Sequence, residues 1–290
     1  MVPNPVNSDL LRASHVRRVT VLRAPSRWPG IVSSLSNLVR YRDLLYTLSL
    51  HRIKVRYKQT ALGASWAILQ PVSLMLVYTL ILSGIAKMPS NGLPYAIFVY
   101  AALLPWMFFS TALGSATNSL VSNNNLITKV YFPREILPLT YLVAALFDFL
   151  VASSALGILM IYYKVPLTKY AFYVAPIMLT LTVFTAAMGL LFSAMQVRYR
   201  DLSFAMQLLL RLWMYATPVL YPLSAVPESL RPFYMLNPMV GIIENFRQVV
   251  LLGTGPDLGL LGMSALTSLV LLVASYLYFK RVESTMADII

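Results

Sequence analysis

Cysteine is missing from this chain of 290 residues, and histidine nearly so, with only His15 and His51. Without cysteine there is no disulfide framework, thiolate metal site or cysteine nucleophile. Two isolated histidines with no carboxylate cluster nearby argue against a zinc or di-iron centre. Charge is scarce as well. Only 11% of residues are charged, against roughly 25% in a soluble domain, while 58% are apolar. Such a balance belongs in a bilayer. Acids are the scarcer sign, 10 against 23 Lys and Arg, for a net charge of +13. That excess would suit nucleic acid, but the basic residues sit mainly beside apolar runs, as positive-inside anchors do. The acids are scattered, with no pair on one spanning face for acid–base work, and no Walker A, G-x-S-x-G or H-E-x-x-H motif occurs. The chain itself is therefore not expected to be an enzyme or to bind nucleotide or nucleic acid. No cleavable signal is visible, because Arg12, Arg17, Arg18, Arg23 and Arg27 leave no apolar h-region between them. Residues 1–37 read as a basic, flexible arm on the cytoplasmic side.

What is present is a series of apolar runs: Trp66–Ala86, Tyr95–Leu120, Leu139–Tyr163, Tyr170–Met195, Leu202–Leu223 and Leu258–Phe279. Each has the roughly 20 residues that a hydrocarbon core of about 30 Å demands. The expected fold is an all-α integral membrane protein with six transmembrane helices over 65–290. Basic residues set its orientation. Arg52, Lys54, Arg56, Lys58, Lys129, Arg134, Arg198, Arg200, Lys280 and Arg281 fall in alternate polar segments; Lys87, Lys164, Lys169, Arg231 and Arg247 fall in the others. Ten against five puts both termini in the cytoplasm.

Three segments depart from plain spans. Within 38–64, Tyr41, Leu44, Leu45 and Leu48 share a helical face, whereas Arg52, Lys54, Arg56 and Lys58 alternate with Ile53, Val55 and Tyr57. Alternation favours a strand, but a lone strand beside a bilayer leaves its backbone unpaired, so an interfacial amphipathic helix is expected. The second segment is a polar island, NNNLITKVYFPREILP at 123–138. Its asparagines are candidate N-caps, Leu126, Ile127, Val130 and Tyr131 share one face, and Pro133 and Pro138 stop the pattern. Two helical turns with an uncovered apolar face suggest a partner protein; the alternative is a connecting loop tucked under the bundle. In the third, Met239–Leu252 is apolar but only 14 residues long, too short to cross. Behind Pro227, Pro232 and Pro238 it reads as a hairpin dipping into the outer leaflet, or as a cap lying on it. Thr185, Gly189 and Ser193, like Ser110, Gly114 and Asn118, recur at four-residue spacing and are assigned to internal packing.

Polar and aromatic residues recur on two spans: Trp66, Gln70 and Tyr78 on the first; Gln207, Arg211, Tyr215, Pro218 and Pro222 on the fifth. A lipid-facing helix has no use for Gln and Arg there. Aromatic faces flanked by amides suit sugar rings. Tyr95, Tyr100 and Trp106 are assigned instead to interface belts and core packing. Asp148 and Arg211 each lie nine residues into their runs, roughly 14 Å deep. They are expected to pair, within one subunit or across a dimer; the alternative is that each faces an aqueous channel alone.

The strings RIKVRYKQTALGASWAILQP (52–71), NNNLITKVYFPREILPL (123–139), VRYRDL (197–202), ATPVLYP (216–222) and LNPMVGIIENFR (236–247) together resemble the permease subunit of polysaccharide ABC exporters, over about 40–290. That family exports lipid-linked O-antigen, with capsule and teichoic-acid exporters as relatives. The resemblance implies a homodimer joined to two separately encoded cytoplasmic ATPase subunits, which carry the ATP and Mg; no cofactor is expected in this chain. It implies a coupling helix at 123–137 whose Asn125, Leu126, Ile127, Val130, Tyr131 and Arg134 meet the ATPase. Phe233, Tyr234, Glu244, Phe246 and Arg247 would belong to outer gate helices at 223–252. Trp66, Gln70, Tyr78, Gln207, Arg211, Tyr215 and Tyr221 would line the channel. The substrate would be a glycan on an undecaprenyl-pyrophosphate-type carrier, with Arg52, Lys54, Arg56 and Lys58 as handles for the pyrophosphate. The alternatives are a permease for teichoic acid, capsule polysaccharide, a lipid or a drug. An intramembrane lipid-phosphate transferase would need clustered acids or histidines, which are not found.

Overall fold

The computed structural model describes residues 40–58 and 60–289, so the basic arm at 1–37 lies outside the described residues. Among them the secondary structure is helix and turn only. In order, the helices are α1 (Arg42–Tyr57), α2 (Trp66–Tyr78), α3 (Tyr95–Thr117), α4 (Asn124–Lys129), α5 (Ile136–Tyr162), α6 (Val174–Arg198), α7 (Leu202–Tyr215), α8 (Arg231–Met235), α9 (Pro238–Arg247) and α10 (Leu258–Ile289). Wider π-helical turns extend α2 over Thr79–Ile85 and α9 over Gln248–Leu252.

α3 is the bundle's centre. It is apolar all round because it is buried all round, packed by α2, α5, α6, α7 and α9. Its aromatics are core residues rather than belts: Tyr100 donates to the Ala152 carbonyl at 2.9 Å, and Trp106 packs against Phe109. Close approach is bought by small side chains. Gly189 of α6 faces Ala116 of α3 and Leu142 of α5, in the internal role its four-residue repeat suggested.

A second, smaller core gathers at one end of the bundle. Leu120, Ile127, Phe132, Ile136, Leu137, Leu190, Val197, Phe279 and Met286 meet there, and the Tyr41, Leu44, Leu45 and Leu48 face of α1 packs onto them. α1 is the expected amphipathic helix, but it rests on protein, against the first half of α5.

Among the described residues, five helical stretches are long and apolar enough to cross a membrane: Gly63–Ile85, Tyr95–Thr117, Ile136–Tyr162, Lys169–Arg198 and Leu258–Glu283. The fifth expected run, Leu202–Leu223, is not one continuous span. Its helix, α7, has 14 residues and so a length of roughly 21 Å, short of about 30 Å. After Tyr215 the chain runs irregularly through Pro218 and Pro222, where proline removes helix donors. The region after it is helical in two pieces: α8 is one turn, and α9 with its π turn enters the bundle against α3, α6 and α10.

The α9–α10 contact hinges on Gly241. A Cβ there would meet Ser264 Oγ and, at 2.8 Å, the Leu260 carbonyl. Gly241→Ala is expected to destabilise the folded permease by about 1–3 kcal/mol, read as a lower unfolding midpoint in detergent. Gly262→Ala, where nothing lies within 4 Å of the added carbon, should leave the midpoint in place. Equal midpoints for the two variants would show that α9 is not tightly seated.

Candidate functional site

The basic run of α1 separates once it is helical. Arg52 and Arg56, one turn apart, turn inward and are half-buried, while Lys54 and Lys58 are exposed on the other side. Arg52 donates to Asn123 Oδ1 and lies over the Tyr141 ring, 4.7 Å from its centroid. Arg56 forms an ion pair with Asp148, and the Tyr57 hydroxyl donates to the other carboxylate oxygen. Burial and the carboxylate beside it hold the Tyr57 pKa well above the usual phenol value, so the hydroxyl keeps its proton and remains a donor. Asp148 is twelve residues beyond Ile136, roughly 18 Å along α5. The expected Asp148–Arg211 pair is therefore not formed within the chain. α1 descends far enough to put a guanidinium on Asp148, whereas Arg211 stands on the exposed side of α7. A charge at such depth is costly alone, and pairing lowers that cost.

This pair forms one wall of a cavity of about 480 Å³ among α1, α2, α3 and α5. Trp66, Gln70 and Pro71 of α2 line it, with Leu104, Met107, Phe108 and Thr111 of α3 and Ala145, Phe149 and Ala152 of α5. Rings, an amide, a hydroxyl and an ion pair thus face one volume. Of the residues expected around a channel, Trp66 and Gln70 come together here. Gln207, Arg211 and Tyr215 are exposed on α7, Tyr78 packs against the main core, and Tyr221 lies in the stretch after α7, against Tyr234.

At the opposite end, Arg247 is 3% exposed and holds the irregular stretch after α7. Its guanidinium donates to the carbonyls of Pro218 (2.7 Å), Val219 and Tyr221 (3.3 Å) and to Glu244 (3.4 Å), and stacks 3.8 Å from the Phe98 ring centroid. Tyr95 donates to the Leu220 carbonyl and Tyr221 to that of Tyr215, both at 2.6 Å. Asn237 caps α9 through Met239 N–H and donates to Thr217 Oγ1. Backbone that has left the helix thereby keeps its acceptors satisfied. Tyr234 meets the Tyr221 hydroxyl at 3.1 Å, Phe246 is in the core, and Phe233 is exposed. A second, mostly apolar cavity of about 570 Å³ opens between α6, α7, α10 and this hairpin.

The polar island holds a shorter helix than expected. α4 ends at Lys129 rather than running toward 137, and Pro138 sits in the first turn of α5, where proline is tolerated. Asn123 does not cap it; its side chain serves Arg52 and the Ser119 carbonyl. The four apolar residues divide. Ile127 is buried and Leu126 half-buried, while Val130 and Tyr131 are 53% and 86% exposed. Asn125 is exposed, and Arg134 is engaged with the backbone carbonyl of Glu283 at 2.7 Å. Next to it Lys280 bridges Glu135 and Glu283, each at 2.8 Å. Burial, then Glu283, raise the Glu135 pKa against the opposing pull of Lys280. Sequence reasoning missed this cluster and the Arg56–Asp148–Tyr57 contact. The available signal was the i, i+4 spacing of Arg52 and Arg56, hidden inside an apparent period of two.

The family model for the ABC-2 type transporter matches residues 43–251. The chain is 33% identical over 257 residues to the O-antigen export system permease protein RfbA of Myxococcus xanthus, covering 87% of this chain and 98% of that protein. It is 26% identical over 255 residues to a protein of the same name from Klebsiella pneumoniae, covering 88% and 97%. To the polysialic acid transport protein KpsM of Escherichia coli it is 24% identical over 240 residues, covering 79% and 90%.

Arg247→Lys keeps the charge but cannot reach all the carbonyls that the guanidinium fork serves. Each buried acceptor left unpaired costs about 1–3 kcal/mol. The variant is expected to lose monodisperse protein on size-exclusion chromatography and to expose 216–222 to proteolysis. Wild-type protease resistance would mean that the clamp does not hold this segment.

Proposed function

Because the chain belongs to the ABC-2 type transporter family, we propose that it is the permease of an ATP-driven exporter that moves a lipid-linked polysaccharide of O-antigen type, on an undecaprenyl-pyrophosphate-type carrier, across a bacterial inner membrane. The observation that carries this reading is the 33% identity across 98% of a protein named for O-antigen export. The sequence has no nucleotide-binding motif, so ATP and Mg reside on a partner. The assembly is a homodimer of this chain with two copies of a cytoplasmic ABC ATPase.

Several contacts support six crossings, with α1 and the end of α10 on one side, which the basic residues assign to the cytoplasm. Arg52 reaches Asn123, Arg134 reaches Glu283, and Val197 shares a core with Phe279, so these positions lie at one end. Asn91 reaches Ser224, Tyr95 reaches Leu220, and the turn at 169–173 packs on 248–252, at the other end. A chain visiting the ends in that order crosses six times, the fifth by α7 together with the clamped stretch after it.

The cavity behind Arg56 suits the junction of glycan and lipid. Trp66 and Gln70 offer a stacking face and hydrogen bonds to sugar, and Arg56 offers its guanidinium to phosphate. Gln207, Arg211 and Tyr215, exposed in one copy, would face the translocation path between two copies. Lys54 and Lys58, on the outer side of α1, are free to meet headgroups, and 223–252 serves as the outer gate. A capsule-type glycan is the second reading, favoured by the likeness to KpsM. Export of each glycan class in a strain lacking its own permease separates the two.

Docking of the ATPase is assigned to Val130 and Tyr131. Purified alone, the permease should hydrolyse no ATP. Val130→Asp and Tyr131→Ala should leave it folded but weaken recovery of the ATPase in co-purification by about tenfold or more, since aromatic anchors at interfaces often contribute about 2 kcal/mol. An intact complex with normal export after Val130→Asp would remove the coupling role from this face.

A further inference from the structure

Among the fourteen residues around the α1–α2–α3–α5 cavity, Arg56 is the one cation and Asp148 the one acid, and they are bound to each other. An empty cavity so built carries no net charge. An incoming phosphate would meet a guanidinium already occupied and a carboxylate that repels it. We infer that Asp148 is a stand-in anion: it holds Arg56 while the cavity is empty and yields it to the phosphate of the lipid carrier, so that loading is an exchange of anions on one guanidinium. This rests on the reading that the transported lipid carries phosphate.

Three observations carry the exchange. The pair is at the cavity wall, with side chains 29% and 21% exposed, so a ligand can reach it. Asp148 has a second donor in the Tyr57 hydroxyl, which remains to serve the carboxylate when Arg56 leaves. The two charges also belong to different helices, and the same face of α1 carries Arg52, bonded to Asn123 at the threshold of α4. Arg56, once on its new anion, therefore shifts against Asp148 one turn away from Arg52, which is fixed to the segment leading to the exposed Val130 and Tyr131. Occupancy of the cavity and the position of the cytoplasmic helix become linked through a single rigid element.

The test measures equilibrium binding of radiolabelled farnesyl diphosphate to the permease–ATPase complex in phosphatidylcholine nanodiscs. Asp148→Asn, which keeps size and the Tyr57 contact, should bind at least about fivefold tighter than wild type, because the competing state is removed. Arg56→Gln should lose most binding, and the double variant should bind no better than Arg56→Gln alone. Asp148→Asn binding as wild type or weaker, with Arg56 still required, would overturn the exchange while leaving the phosphate site standing. No diphosphate binding by any folded variant would instead overturn the lipid-diphosphate reading and the exchange with it. Phosphatidylglycerol added to the nanodiscs separates sources: if it competes away the gain, the exchange stands but the incoming anion is a bilayer headgroup. If Asp148→Asn does not fold, Asp148→Ser takes its place; failure of both to fold would make the pair structural and reject the proposal.

Discussion

A carbonyl in hydrocarbon must have a donor, and in this protein the rule is met where the helix stops. α7 ends at Tyr215, well short of a full crossing, and the next seven residues contain two prolines. Such a stretch can lie at membrane depth only if protein supplies donors for its acceptors. Arg247 supplies them for Pro218, Val219 and Tyr221, Tyr95 for Leu220, and Tyr221 for Tyr215. These donors come from α3, α9 and the stretch itself, so the break ties three parts of the bundle together. The buried guanidinium is tolerated because its fork is occupied and its flat face rests on Phe98. A break of this kind places irregular backbone next to α7, whose exposed face bears Gln207, Arg211 and Tyr215.

The same logic operates at the other end with a different instrument. There Lys280 sits between Glu135 and Glu283, and Arg134 reaches the Glu283 carbonyl. α10 is thereby anchored to the start of α5, directly after α4. Arg52 of α1 anchors the residue just before α4. The exposed Val130 and Tyr131 thus lie on a short segment pinned on both sides by charge-assisted contacts. That segment is therefore tied to both α1 and α10.

Much of this was legible in the sequence, and the parts that were not share a cause. Five of the six expected runs, the amphipathic face of α1 and the exposure of Val130 and Tyr131 follow from hydropathy and helical spacing, which report burial summed over many residues. Trp66 and Gln70 were found because amide and aromatic groups are out of place in lipid. The pairing of Asp148 was missed because depth along a single helix cannot tell which neighbour arrives there. α1 was expected to lie flat at the interface, and its descent supplied Arg56 from a segment not counted as buried. The length of α7 was misjudged for a related reason. Pro218 and Pro222 interrupt an apolar run without changing its hydropathy, and an arginine 25 residues beyond Pro222 makes the interruption tolerable.

Arg56, Arg211 and Arg247 illustrate how one side chain serves three ends in one bilayer protein. Arg247 is enclosed, its donors spent on backbone carbonyls and on Glu244, and it is architecture. Arg211 is exposed on α7, facing away from its own bundle, at a depth where a lone cation in lipid is costly. Arg56 lies between these extremes, held by one carboxylate at the wall of a cavity, with room for another anion. Only the third arrangement can change partner without unfolding what surrounds it. Exchanging the single carboxylate on Arg56 would leave no backbone carbonyl unpaired, whereas removing Arg247 would orphan several at once.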